Sequence, residues 1–408
     1  MQTGARYQAV YEILSEIFKD DAPADGIIND YLRARKYIGS KDRRFISELV
    51  WNIIRNRMKL EFDAKSKDVR KVLLWALRDK LDEVFDGSQY GMLPLTQEEK
   101  LWIEQDNDEP YPDYVEAECP KWIFEQIKDV EFFKALNKPA KANFRVHGAT
   151  RDEVLECLHK EGFDVFPTSL SPLGIEAEQR ISLGNCVCYQ EGLFEVQDEA
   201  SQIAALLCDV REEHKIIDYC CGAGGKSLAL SVLLKNKGNI LAHDISAKRL
   251  EAIKPRIARL NAKNIELTDI VADSDKDFDR FIIDAPCSGT GTWRRSPDAK
   301  FRLTPKYLEK LVHTQSEILN YAAPKVKVGG RIIYITCSIL QKENDDVINL
   351  FLQNNPDFSL MNIAEIWDRI LKIPYPIKNE KMLKLSPIST GTDGFFICVL
   401  EKQKNNNL

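Results

Sequence analysis

From about residue 195 onward, short apolar runs alternate with helical stretches, and each run ends in a turn of small or acidic residues. Ile216-Ile217 leads into Asp218 to Lys226, then a helix over Leu228 to Lys235. Ile240-Leu241-Ala242 precedes Asp244 and a helix over Arg249 to Leu260, and the run from Ile265 to Val271 ends at Asp273. Phe281-Ile282-Ile283 precedes Asp284-Ala285-Pro286-Cys287-Ser288-Gly289-Thr290-Gly291, and Ile332-Ile333-Tyr334-Ile335 precedes Thr336-Cys337-Ser338. Gly394 to Leu400 is a further strand candidate, and Thr304-Pro305 stand at N-cap and N1 of a long helix. Runs of this length suit buried strands, and repeated βα units imply a doubly wound, mainly parallel sheet. Such sheets bind ligands at the carboxyl ends of their strands. Both cysteines are therefore expected at one rim.

The rest of the 408 residues divides by pattern. Ala9, Val10, Ile13, Leu14, Ile17 and Phe18 share one helical face, as do Ile46, Leu49, Val50, Ile53 and Ile54. An all-α domain is expected over 1–140. Its later part is the least legible, because Glu104 to Pro120 is acidic and carries three prolines, as a linker would. Residues 141–195 read as a small α+β segment. Phe144 to Val146, Asp164 to Pro167 and Gly174 to Ala177 are strand candidates, and Thr150 with Glu153 is a capping-box signature. That is half of a ferredoxin-like pattern, shared by many RNA-binding modules. The α/β domain then covers 196–402.

A net charge of −6 argues against indiscriminate coating of nucleic acid. Between Arg33 and Lys59, however, nine Lys/Arg residues, Arg43 and Arg44 among them, meet only Asp42 and Glu48. They form either a phosphate-binding surface or a solvated helical face. No apolar stretch approaches the roughly 18 residues of a membrane span, and no secretory signal opens the chain. A cytoplasmic protein is expected, with its ten cysteines reduced. No C-x-x-C pair and no His ligand spacing occurs, so no metal is expected.

Two nucleotide motifs fail on the loop Cys220-Cys221-Gly222-Ala223-Gly224-Gly225-Lys226-Ser227. A P-loop needs glycine at 220, and the dinucleotide fingerprint needs it at 227. What remains is a small-residue loop that lets a ligand approach a helix N-terminus. Asp244 is placed to accept ribose hydroxyls, and Asp273 to reach an adenine edge. A nucleoside held without a phosphate grip points to S-adenosylmethionine.

The Cys220–Lys226 loop, Asp284 to Gly291, and Thr336-Cys337-Ser338 resemble the RsmB/NSUN family of RNA cytosine-C5 methyltransferases. Gln197 to Ser201 is similar to the segment that introduces its catalytic domain. The likeness runs from about 142 to 400. It implies a Rossmann-like S-adenosylmethionine-dependent methyltransferase domain behind an RRM-like segment. The helices around Asp42 to Arg57 resemble the NusB-like domain of the bacterial 16S ribosomal RNA enzymes. Ala223 stands where the family usually has proline. By position, Cys337 is the nucleophile and Cys287 helps resolve the adduct, while Asp284 holds the cytosine edge beside the cofactor. A free thiol is only about 3% thiolate at neutral pH. Lys226 is a candidate for favouring the anion, or else simply pairs with an acid. Arg294, Arg295, Lys300 and Arg302 follow the catalytic loop, where phosphates flanking an unstacked base would lie. The expected partner is 16S ribosomal RNA in loop or single-stranded form, read by a monomer. The rival expectation is a non-catalytic RNA-binding assembly or antitermination factor.

Overall fold

The computed structural model describes residues 1–19, 22–105, 109–178, 181, 183–272 and 274–404. They form two compact units, one of Met1–Lys138 with Trp293–Leu303 and one of Pro139–Thr292 with Thr304–Leu408.

The first unit is helical. Helices Thr3–Ile17, Ala24–Ala34, Ser40–Arg55 and Val69–Ala76 carry apolar residues at spacings of three and four, which puts them on one face. Val10, Ile13 and Leu14 pack with Ile46, Val50 and Ile53 in one core. The stretch Glu104 to Pro120, expected as a linker, carries the short helix Asp113–Glu116, and helices Gln97–Ile103, Lys121–Ile127 and Val130–Asn137 flank it. Its prolines lie just before helices rather than within them. Pro112 and Pro120 are N-cap residues, and Thr96 with Glu99 closes a capping box. The segment Trp293–Leu303 packs into this unit. Trp293 stacks on Phe133 with ring centroids 6.1 Å apart, and Asp298 accepts the Ala24 amide at 3.0 Å. Arg55 donates to the carbonyls of Asn137 at 2.8 Å and Arg294 at 2.7 Å.

The second unit holds two sheets. The smaller is built from β1 (Ala142–Val146), β2 (Val165–Pro167), β3 (Gly174–Ala177) and β4 (Phe194–Val196) in the order β2-β3-β1-β4. All its pairings are antiparallel. Helix Arg151–Lys160, opened by the Thr150/Glu153 capping box, joins β1 to β2, and the short helix Val187–Gln190 precedes β4. The expected half pattern is thus completed by a second helix and a fourth strand, a βαββαβ layout. In one respect the cysteine expectation fails. Cys157 and Cys188 are joined by a disulfide, although the other eight cysteines are free. Tertiary packing of those two helices brings together thiols 31 residues apart, which spacing along the chain does not reveal.

The larger sheet follows with β5 (Lys215–Asp218), β6 (Asn239–His243), β7 (Ile265–Thr268), β8 (Phe278–Asp284), β9 (Val326–Thr336), β10 (Phe358–Leu360), β11 (Met382–Leu385) and β12 (Phe395–Lys402). Its order is β10-β12-β9-β8-β5-β6-β7, with β11 also on β12. Strands β5 to β9 pair in parallel, whereas β12 runs antiparallel to β9, β10 and β11. The parallel strands are buried on both faces, which is why Ile282, Ile283, Ile332, Ile333 and Ile335 are apolar without alternation. Each such side chain contributes about 1.5–3 kcal/mol when fully buried. Strand order reverses at β5, flanked by β6 on one side and β8 on the other. The loops after β5 and β8 therefore open at the switch point, where α/β sheets hold ligands. No helix of the described residues is long and apolar enough to cross a membrane.

Candidate active site

β8 and β9 lie side by side with Asp284 opposite Ile335, so their following loops leave the sheet together. This register brings the Sγ atoms of Cys287 and Cys337 to 3.4 Å. Both thiols are partly accessible. The hydrogen bond to Cys337, together with burial, raises the Cys287 pKa well above the usual thiol range. Cys287 thus holds its proton. The backbone knits the loops together: the Ala285 amide donates to Ile335 O and the Gly291 amide to Cys337 O, each at 2.9 Å. Gly291 is required by close approach, because a Cβ there would sit 2.0 Å from the Gly394 carbonyl oxygen.

Lys226 lies in the first turn of helix Gly225–Leu233 and is buried. Its Nζ donates to Asp284 Oδ2 at 2.7 Å. Burial opposes the ammonium, but Asp284, Asp218 and Cys337 outweigh it, and the Lys226 pKa is raised overall. The cation therefore belongs first to Asp284, the plainer of its two expected roles.

The loop between β5 and that helix supplies the cofactor candidates. Gly222 and Gly224 have φ of +55° and +78°, a left-handed conformation that L side chains avoid. Space beside Gly222 is open, whereas a Cβ at Gly224 would meet Ile253. Gly225 starts the helix, and the Ala223 carbonyl accepts from Arg256. Burial holds the thiols of Cys220 and Cys221 far up, so both stay protonated. Asp244, at the end of β6, accepts the Gly222 amide at 3.0 Å and the Ser246 amide at 2.8 Å. Asp218 is fully buried with Oδ1 lacking a hydrogen-bond partner, while Oδ2 accepts from Ser227 at 2.6 Å. An orphaned carboxylate oxygen under a glycine loop, with a second acid one strand over, fits a ligand rich in hydroxyl and amino donors. Asp273 lies outside the described residues.

A profile for "16S rRNA methyltransferase RsmB/F" matches residues 205–401. The chain is 33% identical over 303 residues to the probable ribosomal RNA small subunit methyltransferase B of Bacillus subtilis, covering 71% of this chain and 67% of that protein. The chain belongs to the RsmB/F methyltransferase family.

Other similarities cover between 72% and 98% of this chain. It is 25% identical to the ribosomal RNA small subunit methyltransferase B of Erwinia tasmaniensis, covering 91% of this chain and 93% of that one. In fold it is similar to the crystal structure of PH0851, with a TM-score of 0.77 and 24% identity over 98% of this chain and 99% of that one. It is also similar in fold to NSun6 from Pyrococcus horikoshii, with a TM-score of 0.63 and 20% identity over 72% of this chain and 100% of that one.

Within this RsmB/F chain the basic residues have varied surroundings. Arg43 donates through Nε to Ile38 O at 2.8 Å, and exposed Arg44 pairs with Glu48 at 2.7 Å. Arg294 and Arg295 lie on the Trp293–Leu303 segment of the first unit. Lys300 corrects the sequence expectation. It is buried, donating to Glu118 O at 2.8 Å and Asn137 Oδ1 at 3.1 Å, so it is not available to a phosphate. Arg302 pairs with Asp298.

Sequence reasoning missed Asp218 as an orphaned acid, missed Glu343 altogether, and read Gln315 only as part of the inner face of its helix. Asp218 was read as an acid at a strand end, with no sign that one of its oxygens lacks a partner. Glu343 ends a 3₁₀ turn and Gln315 sits mid-helix, where neither carries a local signal.

Proposed function

We propose that this chain transfers a methyl group from S-adenosylmethionine to carbon 5 of a cytosine in RNA, with 16S ribosomal RNA as the substrate and the cytoplasm as its compartment. The observation that carries this reading is the 3.4 Å separation of Cys287 and Cys337 beside the Lys226–Asp284 pair. A lone structural thiol needs no second sulfur at a strand-end rim, whereas addition and elimination at a pyrimidine ring use two groups. The ribosomal substrate is supported by the names of the relatives, and the cofactor by NSun6 having been solved with SFG, an analogue of S-adenosylmethionine.

Cys337 adds as thiolate to carbon 6 of cytosine, forming an S–C bond as the ring π pair moves toward carbon 5. Asp284, held by Lys226, faces the N3/N4 edge and favours protonation there. When bound, S-adenosylmethionine supplies a sulfonium methyl that is electrophilic toward carbon 5. The carbon-5 proton then passes to solvent water as base, the electron pair of that C–H bond re-forms the C5–C6 double bond, and the S–C6 bond breaks so that Cys337 leaves as thiolate with assistance from Cys287. Asp218, Asp244 and the Gly222–Gly225 backbone would hold the cofactor. The target base must be out of its stack to reach the thiols, which favours loop or single-stranded RNA. Arg294 and Arg295 are proposed to contact flanking phosphates.

The test is transfer of labelled methyl from S-adenosylmethionine to 16S RNA, naked and within assembly intermediates, followed by bisulfite mapping. A single 5-methylcytosine lost with the gene supports the reading. Binding of RNA with no transfer to any RNA would instead make the chain an assembly factor.

A further inference from the structure

Glu343 is fully buried, and its four donors are all uncharged. Oε1 accepts the Ser288 amide at 2.8 Å and Gln315 Nε2 at 3.0 Å. Oε2 accepts the hydroxyls of Ser288 and Ser338, each at 2.5 Å. Ser288 directly follows Cys287, and Ser338 directly follows Cys337. Gln315 also donates to the Pro286 carbonyl at 2.9 Å, on the other side of Cys287. Thr290 completes the ring, 3.1 Å from the Ser338 hydroxyl and accepting the Ile339 amide at 3.0 Å.

Burying a carboxylate without a cation costs several kcal/mol unless hydrogen bonds satisfy its oxygens. A core needing only volume would place an apolar side chain here. Three of the four donors belong to the two thiol loops, and the fourth also grips one of them. We infer that Glu343 is the positioning residue for the thiol pair: one carboxylate bridges the residues beside Cys287 and Cys337 and sets the separation and aim of the two sulfurs. This rests on the two-thiol reaction proposed above. It adds that reaction geometry is held from beneath the loops by a group that touches neither substrate nor cofactor.

The mechanism distinguishes geometry from charge. A glutamine at 343 can keep Oε1 as acceptor and donate its amide to the two serine hydroxyls, which reverse their direction. An alanine removes the acceptor that all four donors share and so unties the two loops from each other at this point. Displacements near 1 Å cost roughly 100-fold in rate.

The experiment uses the full chain with Glu343→Ala, Glu343→Gln and Ser338→Ala. Turnover on RNA and cofactor affinity are measured alongside the rate at which diamide, a two-electron oxidant, couples Cys287 to Cys337, read by peptide mass spectrometry. Glu343→Ala should lower kcat about 100-fold and slow coupling about tenfold, with cofactor affinity within threefold of wild type. Glu343→Gln should restore both rates to within about tenfold. Ser338→Ala, which cuts one arm of the bridge, should slow coupling even if the alanine variant at 343 does not fold. Wild-type coupling in a folded Glu343→Ala or in Ser338→Ala overturns the inference, as does a glutamine variant as impaired as alanine. Altered coupling in a chain that methylates no RNA would leave the positioning role standing and remove the proposed reaction.

Discussion

Lys226 Nζ and Asp284 Oδ2 are 2.7 Å apart, one arriving from the first turn after β5 and the other from the end of β8. Adjacent parallel strands make that meeting possible, and it ties the glycine loop after β5 to the thiol loop after β8. Lys226 keeps its proton at neutral pH because Asp284 and its neighbours outweigh the burial that opposes it. Lys226→Met removes the cation and leaves Asp284 free to turn away. The expected outcome is a fall in kcat/KM of roughly 100-fold, the usual cost of losing one preorganised donor. Steady-state kinetics on RNA would check it, and unchanged kcat/KM would remove Lys226 from the site.

The thiols differ in their expected lesions. Cys337→Ala should bind cofactor and methylate nothing. Cys287→Ala should accumulate an RNA adduct that survives denaturing electrophoresis, because addition proceeds and release is impaired. If Cys337→Ala traps RNA instead, the two roles are reversed. Since hydrogen bonding to Cys337 and burial keep Cys287 protonated, iodoacetamide near neutral pH should label Cys337 first.

Asp218 has a pKa pushed up to about 6 by burial, against an ordinary value of 3.8. The folded protein therefore holds this proton more tightly than the unfolded chain. Its ionisation costs stability as pH rises through this interval, and the whole cost is present above about pH 6. Asp218→Asn should be more stable than wild type at pH 7.5, by about 3 kcal/mol at most. The advantage should vanish below about pH 4. Denaturant melts at the two pH values would show it. Cofactor affinity should fall in the same variant, because Oδ1 is an acceptor without a partner.

In the first unit, Lys300 and Glu118 form a buried pair whose Nζ–Oε2 separation is 3.9 Å. Burial pulls the lysine pKa down and pushes the glutamate pKa up. Glu118 also accepts the amides of Met58 at 3.0 Å and Lys59 at 2.9 Å. Lys300→Met alone strands a buried carboxylate and should cost about 3–5 kcal/mol. Adding Glu118→Gln should recover part of that loss, because the buried charge is removed and the amide oxygen still accepts one of the two backbone amides. A double variant no more stable than the single would show that the pair is not coupled.

Much of the architecture was legible because it is written in local pattern. Ile-rich runs ending in Asp218, Asp244, Asp284 and Thr336 mark β5, β6, β8 and β9, and the Thr150/Glu153 box marks its helix. Those signals are short-range, so no partner element is needed to read them. The stretch before residue 140 misled because its prolines resemble linker punctuation, although Pro112 and Pro120 stand at helix N-caps. β10 and β11 escaped notice, being short and dependent on pairing with β12 for their conformation.

The sequence by itself determined which residues stand at strand ends: periodicity and small-residue turns follow from backbone sterics and burial. It also placed Cys287 and Cys337, with Asp244 and Asp284, just past strand ends along one rim. Only the tertiary structure decided that the sulfurs stand 3.4 Å apart, that Lys226 serves Asp284, that Glu343 lies beneath both loops, and that Lys300 is buried against Glu118. These are contacts between positions 5 to 182 residues apart, set by strand order, register and packing. No local preference encodes them.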